Sequence, residues 1–213
     1  MVSWDQTKGN TKSERKVIEK ISLATDIKVR FIGDILPRHV YWIHNKEGKR
    51  LPVECLSFDR ASETFTNDKD PMKELPPEIY SEKPAFAYVC NVLDRSDGKI
   101  KLFDLRSTIF KQIVDYARNP EYGNPADPER GYDITIKKEK TGPLPQNVKY
   151  TCVPARTSKA LTAEEKKLEL YDLNKMHKRS TYEEQKKWLL DNTNYFMAMT
   201  DSSLAPEDVE DLK

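Results

Sequence analysis

The chain has 213 residues, of which 33% are charged and 37% hydrophobic, with a formal net charge of +1 and a mean hydropathy of -0.78. This is room for one substantial domain with appendages, and no stretch approaches the ~18 consecutive apolar residues of a membrane span. The polar start, Met1 to Lys20, lacks the apolar centre of a signal peptide, so the expected location is cytoplasmic.

Cys55, Cys90 and Cys152 are odd in number and far apart, which argues against a disulfide framework. No C-x-x-C, G-x-G-x-x-G or G-K-[ST] is present, so zinc-finger, Rossmann and P-loop chemistry lose their signatures. Charge is unevenly spread. Residues 1–25 carry a net +2, residues 26–160 a net +3 and residues 161–213 a net −4, with Asp201, Glu207, Asp208, Glu210 and Asp211 near the end. The expected plan is therefore a flexible basic arm (1–25), a folded core (26–160), a C-terminal helical segment (161–195) and an acidic flexible tail (196–213).

In chain order, Ser13 to Leu23 places apolar residues at roughly helical spacing. The period then changes to two, and Ile27–Ile32 predicts a strand that Gly33-Asp34 ends. Arg38–His44 is a second strand, Asn45–Gly48 a turn, and Lys49–Phe58 a third strand interrupted by Pro52. Residues 59–83 form a long proline-rich excursion, of the kind that is usually functional or mobile. Pro84–Leu93 and Lys99–Leu105 make a hairpin around Asp97-Gly98. Ser107 caps a helix through Arg118 that Asn119-Pro120 stops. A second proline-rich loop follows, then strands Gly131–Lys138 and Asn147–Pro154 around a turn at Gly142–Pro145. Helices are expected from Thr162 to Met176 and from Ser180 to about Asp191. The pattern is mainly β with α: an elaborated five-stranded OB-fold barrel with a helix between strands, or an unrelated α+β sheet.

Catalysis is poorly supported. His39 and His44 fall on opposite faces of a strand, and no nucleophile–base grouping is evident. Binding is better supported, because cations that track phosphates and rings that stack on unpaired bases occur together on the strands. The candidate nucleic-acid contacts are Arg30, Arg38, Lys49, Arg50, Lys101, Arg106, Lys137, Lys138 and Lys149 for phosphates, and Tyr41, Trp42, Phe86, Tyr88 and Phe103 for bases. Each ring could equally be core. Tyr41 and Trp42 face opposite ways, so one of the two should point outward. Alternation puts Lys99, Lys101 and Phe103 on one face, and two lysines there predict an exposed Phe103.

The runs KIKLFDLRSTIFKQIVDYARN, GYDITIKKEKTG and NVKYTCVPAR, within Ile27 to Leu161, resemble the core of bacteriophage single-stranded DNA-binding proteins, the helix-destabilising proteins of the T-even phages. The resemblance implies an elaborated OB barrel coating single-stranded DNA without strong sequence preference in replication, recombination or repair. It also implies a basic arm that supports self-association on DNA, an acidic tail that contacts replication or recombination proteins, and no enzymatic activity. That family carries a structural zinc on one His and three Cys. His44 and Cys55 lie near the first two of those places, but the following C-x-x-C is missing, so neither zinc nor another cofactor is expected. The alternative is an OB-like protein–protein interaction module acting through its C-terminal helices.

Overall fold

A computed structural model describes residues 18–144 and 146–197. The first part of the basic arm and nearly all of the acidic tail, residues 198–213, lie outside the described residues. Five strands form one antiparallel sheet: β1 (Ile27–Leu36), β7 (Val89–Asp94), β8 (Ile100–Asp104), β9 (Ile134–Lys140) and β10 (Val148–Pro154), in the order β10-β9-β1-β7-β8. A second, three-stranded sheet runs β3-β2-β6, from β3 (Arg50–Glu54), β2 (His39–His44) and β6 (Ala85–Phe86). Two short strands, β4 (Phe58–Asp59) and β5 (Thr64–Phe65), pair within the excursion. The protein is mainly β with few helices, and no described helix is long and apolar enough to cross a membrane.

The five-stranded sheet is open, and both of its rims are covered, as exposed edges otherwise invite pairing. At the β8 rim, residues 19–21 run parallel to the strand, with Leu102 N–H donating to Glu19 O at 2.9 Å and Ile21 N–H to Leu102 O at 2.8 Å. Of the expected helical stretch Ser13 to Leu23, residues 13–17 lie outside the described residues, and 18–22 lie along the rim rather than in a helix before a turn at Leu23: the rim's unpaired backbone groups outbid local helical spacing. At the β10 rim stands helix α1 (Ser107–Arg118). Its Gln112 side chain donates to Tyr150 O at 3.0 Å and accepts from Cys152 N–H at 2.9 Å, like a short strand. Ile109 and Ile113 bury the inner stripe of α1.

Predicted strands 27–32, 84–93 and 49–58 change at their ends. Gly33-Asp34 does not stop β1 but forms a bulge, where the register with β7 shifts between Ile32 and Ile35. Gly33 takes φ +70, and a Cβ there would come within 3.1 Å of Leu170. The Pro84–Leu93 run divides at Ala87, so that β6 joins one sheet and β7 the other.

The helix expected from Thr162 to Met176 is absent. Only a 3-10 turn at Glu165–Lys167 and the short α2 (Leu173–Met176) occur there. The intervening chain lies across the back of β7 and β8, where the Asn91 side chain donates to Tyr171 O and accepts from Tyr171 N–H, both at 3.0 Å. Tyr171, Leu173 and Met176 then cover Leu36, Val89 and Leu102. This tertiary contact overrides a modest helical propensity. Helix α3 (Tyr182–Asn192) does form, with a capping box between Thr181 and Glu184, and it buries Gln185 and Leu189 against the body.

The two-sided burial of β8 overturns the exposed Phe103. It is 1% exposed and packs 6.3 Å from Phe31, centroid to centroid, while Leu102 is buried on the opposite face. Lys101 tolerates this neighbourhood because Asp94 and Asp97 hold its ammonium at 2.8 and 2.7 Å, which raises its pKa to about 12.

The excursion is pinned by a residue that sequence pattern does not single out. Buried Asp70 accepts from Tyr41 Oη at 3.3 Å, Ser57 N–H at 3.2 Å, Ser57 Oγ at 3.4 Å and Met72 N–H at 3.0 Å. Asp70→Ala would leave these buried donors unmet and is expected to cost about 3 kcal/mol. The check is the denaturant midpoint, with an unchanged midpoint counting against the pin.

Candidate functional site

A cleft of about 640 Å³ lies between the three-stranded sheet, the end of β8 and residues 175–188. Strand alternation aims Trp42 of β2 into it, 38% exposed, while its neighbour Tyr41 turns inward to Asp70. The Arg50 guanidinium of β3 lies 5.2 Å from the Trp42 ring centre. From the opposite wall α3 contributes Trp188, 37% exposed. Phe86 and Tyr88 line the floor, stacked on each other at 4.1 Å and 19°. Tyr88 is buried and donates to Glu63 at 2.8 Å; burial, then that carboxylate, raises its pKa.

Four cations border the cleft: Lys20, Arg38, Lys175 and Lys178. Its two acids are already matched, Glu54 by Arg60 at 2.6 Å and Asp104 by Lys20 at 2.8 Å. Arg38 lies between the walls. Its Nε donates to Ala87 O at 3.4 Å, and its Nη1 stands 2.7 Å from His177 Nδ1. Burial, followed by the Arg38 charge, lowers the His177 pKa to about 4, so at neutral pH the imidazole is uncharged and its Nδ1 accepts from Arg38. The C-terminal segment is tied to the body here a second time, by Arg60 donating to His177 O at 2.8 Å.

The residues named from sequence fall into three groups. Arg38, Trp42, Phe86 and Tyr88 meet in the cleft, with Arg50 on Trp42 and exposed Lys49 beside it in the turn. Arg106, 5.2 Å from the Tyr150 ring centre, groups with exposed Lys149 of β10, and Lys137 and Lys138 lie farther along the same exposed ribbon. Arg30, Tyr41, Phe103 and Lys101 belong to neither group. Arg30 is fully buried, with its guanidinium donating to Asp127 O at 2.7 Å, so it is not free to meet a phosphate. Tyr41 and Phe103 are core, and Lys101 is neutralised by its two aspartates. Pattern reading missed Lys175, His177, Lys178 and Trp188. The visible signal was the K-K-W run of α3, a ring next to two lysines on a helix whose inward positions are Gln185 and Leu189.

His44 and Cys55 do not fit a shared zinc. His44 pairs with Arg50 at one end of the β2–β3 ladder, whereas Cys55 N–H donates to His39 O at the other, roughly 17 Å away along the strand. The Cys55 thiol is buried against Tyr41 Oη and Ser57 Oγ, hydroxyl partners rather than metal ligands, and burial raises its pKa. No cluster of three metal-ligating side chains occurs among the described residues.

The family model described as "gp32 DNA binding protein like" matches residues 38–194. This chain belongs to the gp32-like DNA-binding family. The match starts at Arg38 and runs past Trp188, so most of both cleft walls lies inside the family's shared region. A protein described as a probable ssDNA-binding protein, from Escherichia phage T5, is 36% identical over 151 residues, covering 66% of this chain and 56% of that one. The alignment thus spans just over half of that relative's length.

Proposed function

We propose that this gp32-like protein coats single-stranded DNA, with the cleft as its principal contact. The observation that carries the reading is the pairing of exposed rings, Trp42 and Trp188, on facing walls with Arg38, Lys175 and Lys178 between and beside them. Rings can enter a stack only where bases are unpaired, since a duplex hides base faces; cations displace condensed counterions whatever the sequence. Together these select single strands without reading base edges. Phe86 stacks within reach of the cleft, Tyr88 supports it from below, and Arg50 braces Trp42. The process is equilibrium binding with no bond made or broken.

The sheet with α1 at its open side is consistent with an OB-type barrel that has been elaborated, and the family resemblance supports a role in phage replication, recombination or repair. The acidic end is the proposed contact for replication or recombination proteins, and self-association on DNA fits the same plan. The interaction-module alternative is weakened because α3 is already spent: it packs on β3 and delivers Trp188 to the cleft.

The test is a titration of the intact chain with fluorescent oligo-dT and matching duplex over a range of salt. Binding to the single strand alone is expected, with log affinity falling against log salt at a slope on the order of −2 to −4, from about 0.7 per neutralised phosphate. Equal affinity for duplex, or no binding at low salt, would sink the proposal.

A further inference from the structure

A second hollow, of about 850 Å³, lies between the loop after α1 and the chain leaving β10. Its lining joins Tyr122 to two arginines, Arg130 and Arg156. Both arginines are exposed, and neither side chain forms an ion pair or hydrogen bond among the described residues. Tyr122 is 36% exposed, yet held in place by ring contacts with Tyr116 at 5.3 Å and Tyr132 at 5.9 Å. Of the two acids in the lining, Asp127 accepts from the backbone N–H groups of Glu129 and Arg130, both at 2.8 Å, and also feels the Arg130 charge, while Glu121 forms no ion pair with either arginine among the described residues.

The loop that shapes this hollow is rigidly built. Buried Arg30 reaches up from β1 to hold Asp127 O, and its Nε and Nη1 have no hydrogen-bond partner among the described residues. The nearby carboxylates Asp133 and Glu165 are engaged by Arg95. A Cβ on Gly131 would fall 2.6 Å from the Arg30 guanidinium and 2.5 Å from two loop carbonyls, so the chain can pass here only as glycine. A long loop resting on a buried cation, with a ring and two arginines in one hollow that form no ion pair or side-chain hydrogen bond among the described residues, has the makeup of a base-and-phosphate site.

Helix α1 connects this hollow to the cleft. Phe110, in its first turn, packs 5.3 Å from Phe86 and 5.0 Å from Tyr88, and Tyr116, in its last, packs on Tyr122. The helix spans roughly 18 Å. Along the way the surface presents exposed Arg106, Lys111, Lys149 and Arg118, and Asp115 is the one acid of the helix. We infer that a single strand leaving the cleft passes along α1 and places a further nucleotide in this hollow, its base on Tyr122 and its phosphates on Arg130 and Arg156. This inference rests on the single-strand reading of the cleft.

The experiment compares two oligo-dT lengths, about 4 and about 16 nucleotides, the range of sites on one such domain. The parent chain is set against Arg130→Gln/Arg156→Gln and against Tyr122→Ala, with denaturant midpoints confirming the fold. The arginine pair is expected to weaken the long oligonucleotide about 10-fold and to flatten its salt slope by about 1.4, leaving the short one unchanged. Tyr122→Ala is expected to weaken only the long one, with no change of slope. Unchanged long-oligonucleotide binding in both variants would overturn the path, as would equal weakening of both lengths. Saturation of the parent by thymidine monophosphate alone, lost in the same variants, would reassign the hollow to free nucleotides and overturn it too. A parent chain that binds neither length identifies a different failure, that of the cleft itself, and the path falls with it.

Discussion

Trp42→Ala and Trp188→Ala are each expected to weaken oligo-dT binding by about 1–3 kcal/mol, roughly 5- to 150-fold in affinity, while leaving the fold nearly as stable as before. The two rings are more than one-third exposed and approach the cleft from opposite walls, one on a strand of the three-stranded sheet and one on α3. Neither belongs to the buried cluster that holds the sheets together, so truncation removes a binding surface without opening a cavity. The salt slope should be nearly unchanged, because no charge is lost. The two substitutions address different parts of the sequence, 146 positions apart, and so also test whether the C-terminal wall takes part. Loss on Trp42→Ala with no effect of Trp188→Ala would confine the contact to the sheet. Full affinity in both variants would remove the cleft as the binding site.

This arrangement explains why part of the site was legible in the sequence and part was not. Period-two alternation separates Tyr41 from Trp42, and the structure turns the first inward and the second outward. Periodicity likewise locates α1, where an apolar stripe of Ile109 and Ile113 meets one neighbour. Alternation fails where both faces of a strand are covered. β8 buries Leu102 beneath the C-terminal segment and Phe103 beneath the main core, so a lysine two positions earlier no longer marks a solvent face. Arg30 misleads for the same reason: a cation on a strand reads as surface, but the loop of residues 124–131 closes over it. Nor can local pattern show that Tyr171 pairs with Asn91, eighty residues earlier, instead of continuing a helix.

The same long-range packing couples stability to the site. Arg38 is positioned by His177, 139 residues later, and Gln185 of α3 donates to Glu54 O of β3 at 2.7 Å. The positioned Arg38 and the second tryptophan therefore exist only when the C-terminal segment is docked. Charge along the chain says little about this, since residues 161–213 are net acidic although they supply Lys175 and Lys178 to the cleft. What matters to a polyanion is which cations remain unmatched at one surface, and here the acids lining the cleft are matched within the protein.

Phe103→Ala should give the opposite signature to the tryptophan variants. Removing a buried phenylalanine from a packed core typically costs about 3–5 kcal/mol, from lost burial and the cavity left behind. Phe103 is a strong case, because it packs against Phe31 of the same sheet and belongs to the cluster that includes Val29, Ile109 and Ile134. The expected result is a large fall in the denaturant midpoint, with oligonucleotide binding reduced only as far as the folded fraction is reduced. Phe103→Leu, which keeps most of the volume, should restore much of the stability and essentially all of the binding per folded molecule. Measuring both quantities on the same preparations separates the two kinds of aromatic residue in this chain. A Phe103→Ala protein as stable as the parent but deficient in binding would place the ring at the surface, in contact with DNA, and contradict the packing of β8 described above.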